Sequence, residues 1–401
     1  MEDLKFEQVE KVSKSIFRTR DLTKISRLES ISPPSVFVGS RLKYPQVNVG
    51  ILSPLAKEED AEIYDDSKYW AKNNFSISEV VRLRSNLLNS RFKSNVSDVR
   101  KNEKFVQISK EIAIASRPVE VEIELKNRIM GAQKKDKVFA AHGMKATLKN
   151  ARVVSNIKVA PKVDRVIDDD IKASEGIIYL YNNSLDEYAL SKILSVGVLG
   201  LKKDKRMVPT RWSITATDDM IGKELLKKVR RYPPVNDYEV FFGEFMGNQY
   251  LIMFFPGVWE YELFELYYPG SSWNNSNEMK ASTDYEGYEG RKSYAKDTAG
   301  GYYATRLPIL ELLNSMKRQA RVLVIRLETP SYWASLGVWV VRESVRKALG
   351  GNGMKFGEMR EFLESIEKIG RIKYNFNPEV IFNKSRLIKG INEQRRLREW
   401  F

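Results

Sequence analysis

The last eight residues of the chain place one polar and three large apolar side chains at a spacing that suits docking on another surface. Gln394 is followed by Leu397, Trp400 and Phe401. In a helical turn the three apolar side chains lie on one side, at relative positions i, i+3 and i+4. Exposed tryptophan and phenylalanine rings carry large apolar areas, which favours their burial in a pocket. These residues therefore predict a plug that binds a complementary groove.

The pattern of glutamine, aliphatic residue and two adjacent aromatics resembles the PCNA-interacting peptide, with which replication and repair proteins bind the sliding clamp. The match ends at the last residue of the chain and follows a run of basic residues. We therefore expect these four residues to bind the PCNA clamp. The alternative is an amphipathic turn that packs on its own domain. The basic residues of the run are Lys384, Arg386, Lys389, Arg395, Arg396 and Arg398.

A second group of residues has the side chains that bind nucleic acid. Arginine and lysine contact phosphates, and aromatic rings stack on exposed bases. The group lies beside glycine or proline turns, where a ligand can approach the backbone closely. For each residue alone, the alternative is a core aromatic or a surface ion pair. The candidates are Arg41, Lys43 and Tyr44 at a predicted hairpin tip, Arg211 and Trp212, and Arg306.

Three carboxylates are candidate catalytic residues for a metal-dependent nuclease, which needs oxygen ligands to hold magnesium and polarise a phosphodiester. They are Asp218, Asp219 and Glu343. Each also has a structural explanation, because the paired aspartates suit the first turn of a helix and Glu343 can pair with Arg346 or Lys347 on its own helix. No metal-ligand spacing is recognised and the cofactor is unknown, so catalysis stays open.

The composition restricts the chemistry further. The 401 residues include 67 Lys and Arg against 52 Asp and Glu, and the resulting net charge of +15 favours polyanionic partners. The absence of cysteine excludes disulfides and thiolate metal sites, and the single histidine, His142, excludes two-histidine metal motifs. The longest strongly apolar stretch, residues 250–259, is too short to cross a bilayer. We expect a cytoplasmic protein that binds DNA and the clamp but no membrane.

Local patterns predict an α+β fold with an antiparallel meander and several packed helices. Ser76 and Glu79 predict a capping box at the start of a helix that reaches residue 92. Alternating apolar residues predict strands at 239–245, 249–255 and 260–266, which should form the meander. Further predictions are a helix at 96–115, a strand at 117–126, loop-rich chain at 129–170, a helix at 218–231, a loop at 269–297, a strand at 321–328 and a linker at 375–382.

These elements predict three segments along the chain. Residues 1–30 form a basic N-terminal arm, residues 31–383 form an α+β body that is divisible into two subdomains, and residues 384–401 form a basic tail with the clamp-binding peptide. A body of this length with 42% apolar residues can bury a sizeable core.

Several blocks of the body together resemble the archaeal Nre proteins. The most specific block is Val-Pro-Thr-Arg-Trp-Ser-Ile-Thr-Ala-x-Asp-Asp at 208–219. Other matches are Ser-Pro-Pro-Ser-Val-Phe-Val-Gly at 32–39, Tyr-Pro-x-Val-Asn-Val-Gly at 44–50, Gly-Gly-Tyr-Tyr-Ala at 300–304 and Gly-Val-Trp-x-Val-Arg-Glu at 337–343. The resemblance implies a role in DNA-damage repair and a terminal clamp-binding peptide. Some members carry an N-terminal cysteine zinc module, which this chain lacks.

We therefore expect a DNA-repair protein that binds PCNA through its tail and DNA through its basic body. Two alternatives remain. One is a metal-dependent DNA-processing enzyme recruited by the clamp, and the other is a non-catalytic protein that binds only the clamp.

Overall fold

The computed structural model of the protein describes residues 25–127 and 144–398, with side chains up to Glu393. The chain divides into an N-terminal unit, Glu2–Ile221, and a C-terminal unit, Gly222–Phe401. Each unit contains a mixed six-stranded sheet and several helices, which confirms the α+β prediction. In these described ranges no helix is both long and apolar enough to cross a membrane. His142 lies outside them.

Within the described ranges, the N-terminal unit contains six strands and six whole helices, and a seventh helix begins in this unit. Short 3-10 turns at Ala61–Asp65 and Val96–Arg100 join some of them. The elements are β1 (Arg27–Ser32), β2 (Val36–Val38), β3 (Gln46–Pro54), α1 (Ser67–Lys72), α2 (Ile77–Ser85), β4 (Leu87–Asn95), α3 (Lys104–Ile114), β5 (Val119–Leu125), β6 (Lys145–Val153), α4 (Pro161–Asp168), α5 (Ala173–Asn182), α6 (Glu187–Ser195) and α7 (Thr210–Val229), which runs past the unit boundary.

The N-terminal sheet has the strand order β1-β5-β6-β4-β3-β2, and its β4–β6 pair is parallel. One face is apolar, with buried Val49, Ile51, Leu88 and Leu148, and α3 packs against β2, β3 and β6. Because strand residues alternate between faces, their neighbours along each strand point the other way. The opposite face is therefore the polar one.

Several local predictions for this unit need correction. The Ser76–Glu79 capping box is present, but α2 ends at Ser85 and the chain continues as β4. Strand pairing overrides the helical spacing of residues 87–92, since β4 lies between β3 and β6. The predicted helix at 96–115 is a 3-10 turn followed by α3, and β6 and α4 replace part of the predicted loop. The strand predicted at 117–126 is confirmed as β5.

The C-terminal unit continues the chain with six strands and five further helices. The elements are β7 (Tyr238–Phe245), β8 (Asn248–Phe255), β9 (Glu260–Tyr267), β10 (Lys280–Glu286), α8 (Ala299–Met316), β11 (Arg321–Glu328), α9 (Val338–Leu349), β12 (Met354–Phe356), α10 (Met359–Tyr374), α11 (Glu379–Phe382) and α12 (Arg386–Arg398).

The C-terminal sheet corrects the predicted meander. Its order is β10-β9-β11-β8-β7-β12, so β7 and β8 form the predicted antiparallel hairpin but β11 lies between β8 and β9. All eight residues of β11 are buried, as a central strand covered on both faces requires. β9 pairs with β11 in parallel and with β10 in antiparallel orientation. Strand β10 also replaces part of the predicted loop at 269–297.

One face of this sheet carries a large apolar core formed with α10, α11 and α12. Phe255, Phe264 and Leu323 pack there with Phe362 of α10 and Leu387 of α12. The predicted linker at 375–382 is therefore partly the buried helix α11. The first residues of the predicted tail, 384–401, likewise lie in α12 within the core. On the other face, α9 packs against β7, β8 and α8.

Candidate nucleic-acid interface

The polar face of the N-terminal sheet carries an open basic section. Residues in register on neighbouring strands point to the same side. Arg91 of β4 is in register with Gly50 of β3 and with Thr147 of β6, while Asn89 is in register with Lys145. We call this section the basic sheet face. Its members are Asn48, Gly50, Asn89, Arg91, Lys93, Lys145 and Thr147.

The basic sheet face is open to solvent at its charged positions. Lys93, Lys145 and Thr147 are exposed, and Arg91 is half-buried. The neighbouring end of the same face is covered, because Leu52 and Leu87 pack with Tyr64 and with the partly buried Ile63 and Leu83. This sheet face therefore has an apolar part at its covered end and a basic part at its open end.

Gly50 gives this face its local shape. A Cβ atom at Gly50 would overlap Oδ1 of Asn89, whose side chain leans over the glycine. Asn89 is buried, and its Oδ1 accepts no hydrogen bond from the described residues. The Cγ atom of Arg91 would lie 3.3 Å from the same Cβ position. The missing side chain thus leaves room for Asn89 and Arg91 to lie close to the strand backbone.

Two cations of this face, Arg91 and Lys145, lie close to other positive charges. Partial burial lowers the pKa of Arg91, and the positive charge of Arg41 lowers it further. Partial burial also lowers the pKa of Lys145, as do the charges of Arg91 and Arg41. Among the described residues, neither Arg91 nor Lys145 has a carboxylate within ion-pair distance. The positive charges of Arg91 and Lys145 therefore repel each other where an anion would relieve the repulsion.

The structure brings two of the predicted nucleic-acid-binding segments together. The Val38 N–H at the end of β2 donates to Oγ1 of Thr210 at 2.9 Å. Arg41 follows Val38 by three residues, and Arg211 and Trp212 follow Thr210 directly. Side chains of both segments are exposed.

Exposure is high for the predicted residues of these segments. Tyr44 is 52% exposed and Trp212 is 47% exposed. Arg41, Lys43 and Arg211 are also exposed. Five of the six predicted nucleic-acid-binding residues therefore lie on the surface of the N-terminal unit.

Arg306 is the exception, and the structure corrects its prediction. It lies in α8 of the C-terminal unit and is only 3% exposed. Its Nε atom donates to Oε1 of Glu286 at 2.7 Å, and its guanidinium lies over the ring of Trp259. A buried arginine with a buried carboxylate partner is a structural ion pair, so a phosphate does not reach it.

The candidate catalytic carboxylates lie in two helices, Asp218 and Asp219 in α7 and Glu343 in α9. Asp218 and Asp219 lie in the middle of α7, not in its first turn, and Asp218 is 2% exposed. The start signal that the prediction overlooked is Pro209, directly before α7. Glu343 accepts from Arg346 at 2.8 Å, as its structural alternative predicted. In residues 25–127 and 144–393, no three acidic or histidine side chains are grouped so that they could hold a metal ion.

Sequence reasoning missed Arg91, Lys93 and Lys145. The first two alternate along β4, and this alternation was the available signal for a strand with one polar face. Because a helix was predicted through residue 92, this alternation was not recognised as a strand pattern. The placement of Lys145 beside Asn89 depends on the parallel β4–β6 pairing, which local sequence does not specify.

The C-terminal helix α12 is anchored at its start by an acid from the sheet. Glu262 of β9 is buried, and its Oε2 accepts from Oγ of Ser385 at 2.6 Å and from the Leu387 N–H at 3.0 Å. Its Oε1 accepts from the Arg386 N–H at 3.0 Å. These bonds satisfy amides that have no partner within the helix.

The predicted clamp-binding residues lie at or beyond the limit of the described structure. Gln394 and Leu397 belong to the backbone of α12, and their side chains lie outside the described residues. Trp400 and Phe401 lie outside entirely. Clamp binding therefore stays a prediction.

Comparisons with known proteins give consistent results. A family model for archaeal Nre, N-terminal, matches residues 6–274, and one for archaeal Nre, C-terminal, matches residues 286–400. The chain is 42% identical to DNA repair protein NreA of Haloferax volcanii over 79% of this chain and 77% of that protein. It is 39% identical to DNA repair protein NreA of Archaeoglobus fulgidus over 81% of this chain and 80% of the relative. Its identity to DNA repair protein NreB of the same organism is 32%, over 84% of each chain. No solved structure matches the chain. The chain belongs to the archaeal Nre family.

Proposed function

We propose that this protein acts in DNA repair, that it binds DNA through the basic sheet face, and that it binds the PCNA clamp through Gln394, Leu397, Trp400 and Phe401. The observation that carries the DNA half is that Arg91 and Lys145 lie on an open sheet face and have no carboxylate within ion-pair distance among the described residues. The names of the relatives, DNA repair proteins NreA and NreB, support the repair role.

The clamp half is supported by the motif and by the helix from which it continues. Leu387, Ile388 and Ile391 of α12 are buried in the core. A peptide that continues from an anchored helix loses less conformational freedom on binding than a free peptide, and this lowers the cost of docking. Three apolar side chains then support an affinity on the order of 1 μM.

The clamp test is a calorimetric titration of purified PCNA with the whole protein and with a version that ends at Glu393. The truncated version keeps Ile391, the last residue of the apolar core within the described side chains. We expect binding by the whole protein and none by the truncated one, with the same unfolding temperature for both. Equal binding by both versions would remove the clamp half of the proposal.

The DNA test uses a labelled duplex with a single-stranded overhang, which offers both DNA forms in one molecule. We expect fluorescence anisotropy to rise on addition of the protein, and the affinity to fall as salt increases because phosphate contacts release counterions. Clamp binding without any DNA binding would favour the alternative of a pure clamp-interaction protein.

A further inference from the structure

The shape of the basic sheet face is the first indication of which form of DNA suits it. A duplex groove is read by a protruding helix or a two-stranded ribbon. The cations here lie instead on two adjacent strands, with Lys93 and Arg91 on β4 and Lys145 on β6, and Gly50 of β3 lies between them and the sheet edge. A broad sheet surface of this kind matches the platforms on which single strands lie.

Two other cations on the same side of the sheet, Lys149 and Arg152, form ion pairs with carboxylates. Lys149 pairs with Glu124 at 2.7 Å, and Arg152 pairs with Glu122 at 2.7 Å. Each of these cations thus has its own carboxylate, whereas Arg91 and Lys145 have none among the described residues. A phosphate would bind the unpaired group in preference to the paired one, because there it displaces no carboxylate.

Exposed aromatic rings complete the arrangement. Tyr44 is 52% exposed beside Lys43, and Trp212 is 47% exposed beside Arg211. Both belong to the two segments that the Val38–Thr210 hydrogen bond joins. Stacking on such rings needs an unpaired base, because bases inside a duplex are already covered by their neighbours.

We propose that the basic sheet face is a binding site for single-stranded DNA, with phosphates on Arg41, Arg91 and Lys145 and with unpaired bases on Tyr44 and Trp212. This inference rests on the proposed DNA-binding function and deepens it. Its chemistry is sequence-tolerant, because each base offers a ring face and each nucleotide offers the same phosphate.

The first experiment compares two double variants that lose equal charge from the same sheet. One combines Arg91→Gln with Lys145→Gln, and the other combines Arg152→Gln with Lys149→Gln. Anisotropy is measured with a labelled thymidine oligonucleotide and with a blunt duplex of equal length. We expect the first variant to bind the single strand about tenfold more weakly and to lower the log–log salt slope by about 1.4, at about 0.7 per phosphate contact. The second variant should bind nearly as the parent protein does.

The second experiment tests stacking at Trp212. We expect Trp212→Ala to weaken binding of the oligonucleotide about tenfold and Trp212→Phe to restore most of the affinity. With an oligonucleotide of abasic nucleotides, which keeps the phosphates, the Trp212→Ala loss should disappear. An equal loss with abasic DNA would assign Trp212 a structural role and overturn the stacking assignment.

The outcomes separate this inference from the proposed function. Tighter binding of the blunt duplex than of the single strand would overturn the single-strand inference while DNA binding itself stood. Equal loss in the two double variants would overturn the location of the site. Binding of neither DNA form would overturn the DNA half of the proposed function itself.

Discussion

Gly301 shows how one position without a side chain permits a buried polar layer. A Cβ atom there would overlap the carboxylate of Glu265, which is itself 1% exposed. Glu265 accepts from Arg326 and from the hydroxyl of Tyr267, and Arg326 also bonds Glu328 at 3.1 Å. The carboxylate is thus fixed by its partners and cannot move aside. Gly301 of the 300–304 block therefore has a packing explanation.

We expect Gly301→Ala to lower the free energy of unfolding by about 1–3 kcal/mol, because the added methyl group overpacks a rigid site. Gly390→Ala is the matched control, since Gly390 is also helical but has no atom within 4 Å of a Cβ position. Alanine there should raise the stability by up to about 1 kcal/mol through its higher helix propensity. Urea unfolding measures both, and a stable Gly301→Ala variant would contradict the packing argument.

Asp65 gives a second prediction at the residue scale. Burial raises the pKa of this carboxyl, but Lys192, Arg84 and Ser35 more than offset that effect and lower the pKa to about 2. The carboxylate contacts Arg84 at 2.9 Å and Lys192 at 3.0 Å. Because the folded pKa lies below the unfolded one, the contribution to stability is complete above the unfolded pKa of 3.8 and is lost as pH falls towards 2.

We expect Asp65→Asn to reduce stability at neutral pH, and the deficit to shrink by about 2 kcal/mol as the pH falls from about 4 to about 2. Urea unfolding at a series of pH values measures it. Glu364→Gln is the control, because Glu364 lies in an exposed pair with Arg360 that contributes little. A deficit that stays constant with pH would show that the ionised Asp65 does not account for the loss.

At the scale of elements, the start of α12 depends on an acid more than a hundred residues earlier in the chain. Glu262 accepts three hydrogen bonds there, two of them from backbone amides. We expect Glu262→Ala to cost about 1–3 kcal/mol, since the buried donors lose their partner. Hydrogen exchange should also become faster at the α12 amides.

Ser385→Ala is the comparison for this cap, because it removes a hydroxyl that donates to Glu262 and accepts from the Ile388 N–H, but leaves the carboxylate bonded to the amides of Arg386 and Leu387. Its effect should be the smaller of the two. If both variants left exchange in α12 unchanged, the cap would not be what holds the helix in place.

The strands of the C-terminal sheet show what the sequence could and could not predict. The strand at 321–328 and the β7–β8 hairpin follow from local apolar patterns and were predicted correctly. The insertion of β11 between β8 and β9 was not, because strand order depends on contacts between distant segments. The prediction that Arg306 binds nucleic acid was wrong for a related reason. Its neighbouring residues gave no sign of Glu286, the buried partner that keeps it from the surface.

At the scale of the whole molecule, the tail segment has two kinds of apolar residue. Leu387 is fully buried in the core of the C-terminal unit. Leu387→Ala should therefore lower the free energy of unfolding by about 2–5 kcal/mol. We expect Trp400→Ala combined with Phe401→Ala to abolish clamp binding and leave the unfolding temperature unchanged. Calorimetric titration and thermal unfolding of both variants decide the assignment. Lost thermal stability with intact clamp binding in the aromatic variant would make those rings core residues.

The order in which the chain is synthesised gives the position of α12 a further consequence. Strands β7 to β12 leave the ribosome before Leu387 and Ile391, and the core that these residues complete stays partly open until then. The segment proposed to bind the clamp is translated later still. A nascent chain therefore cannot present that segment before the residues that close its own core have been made, so the clamp recruitment that we propose would exclude chains that lack these residues.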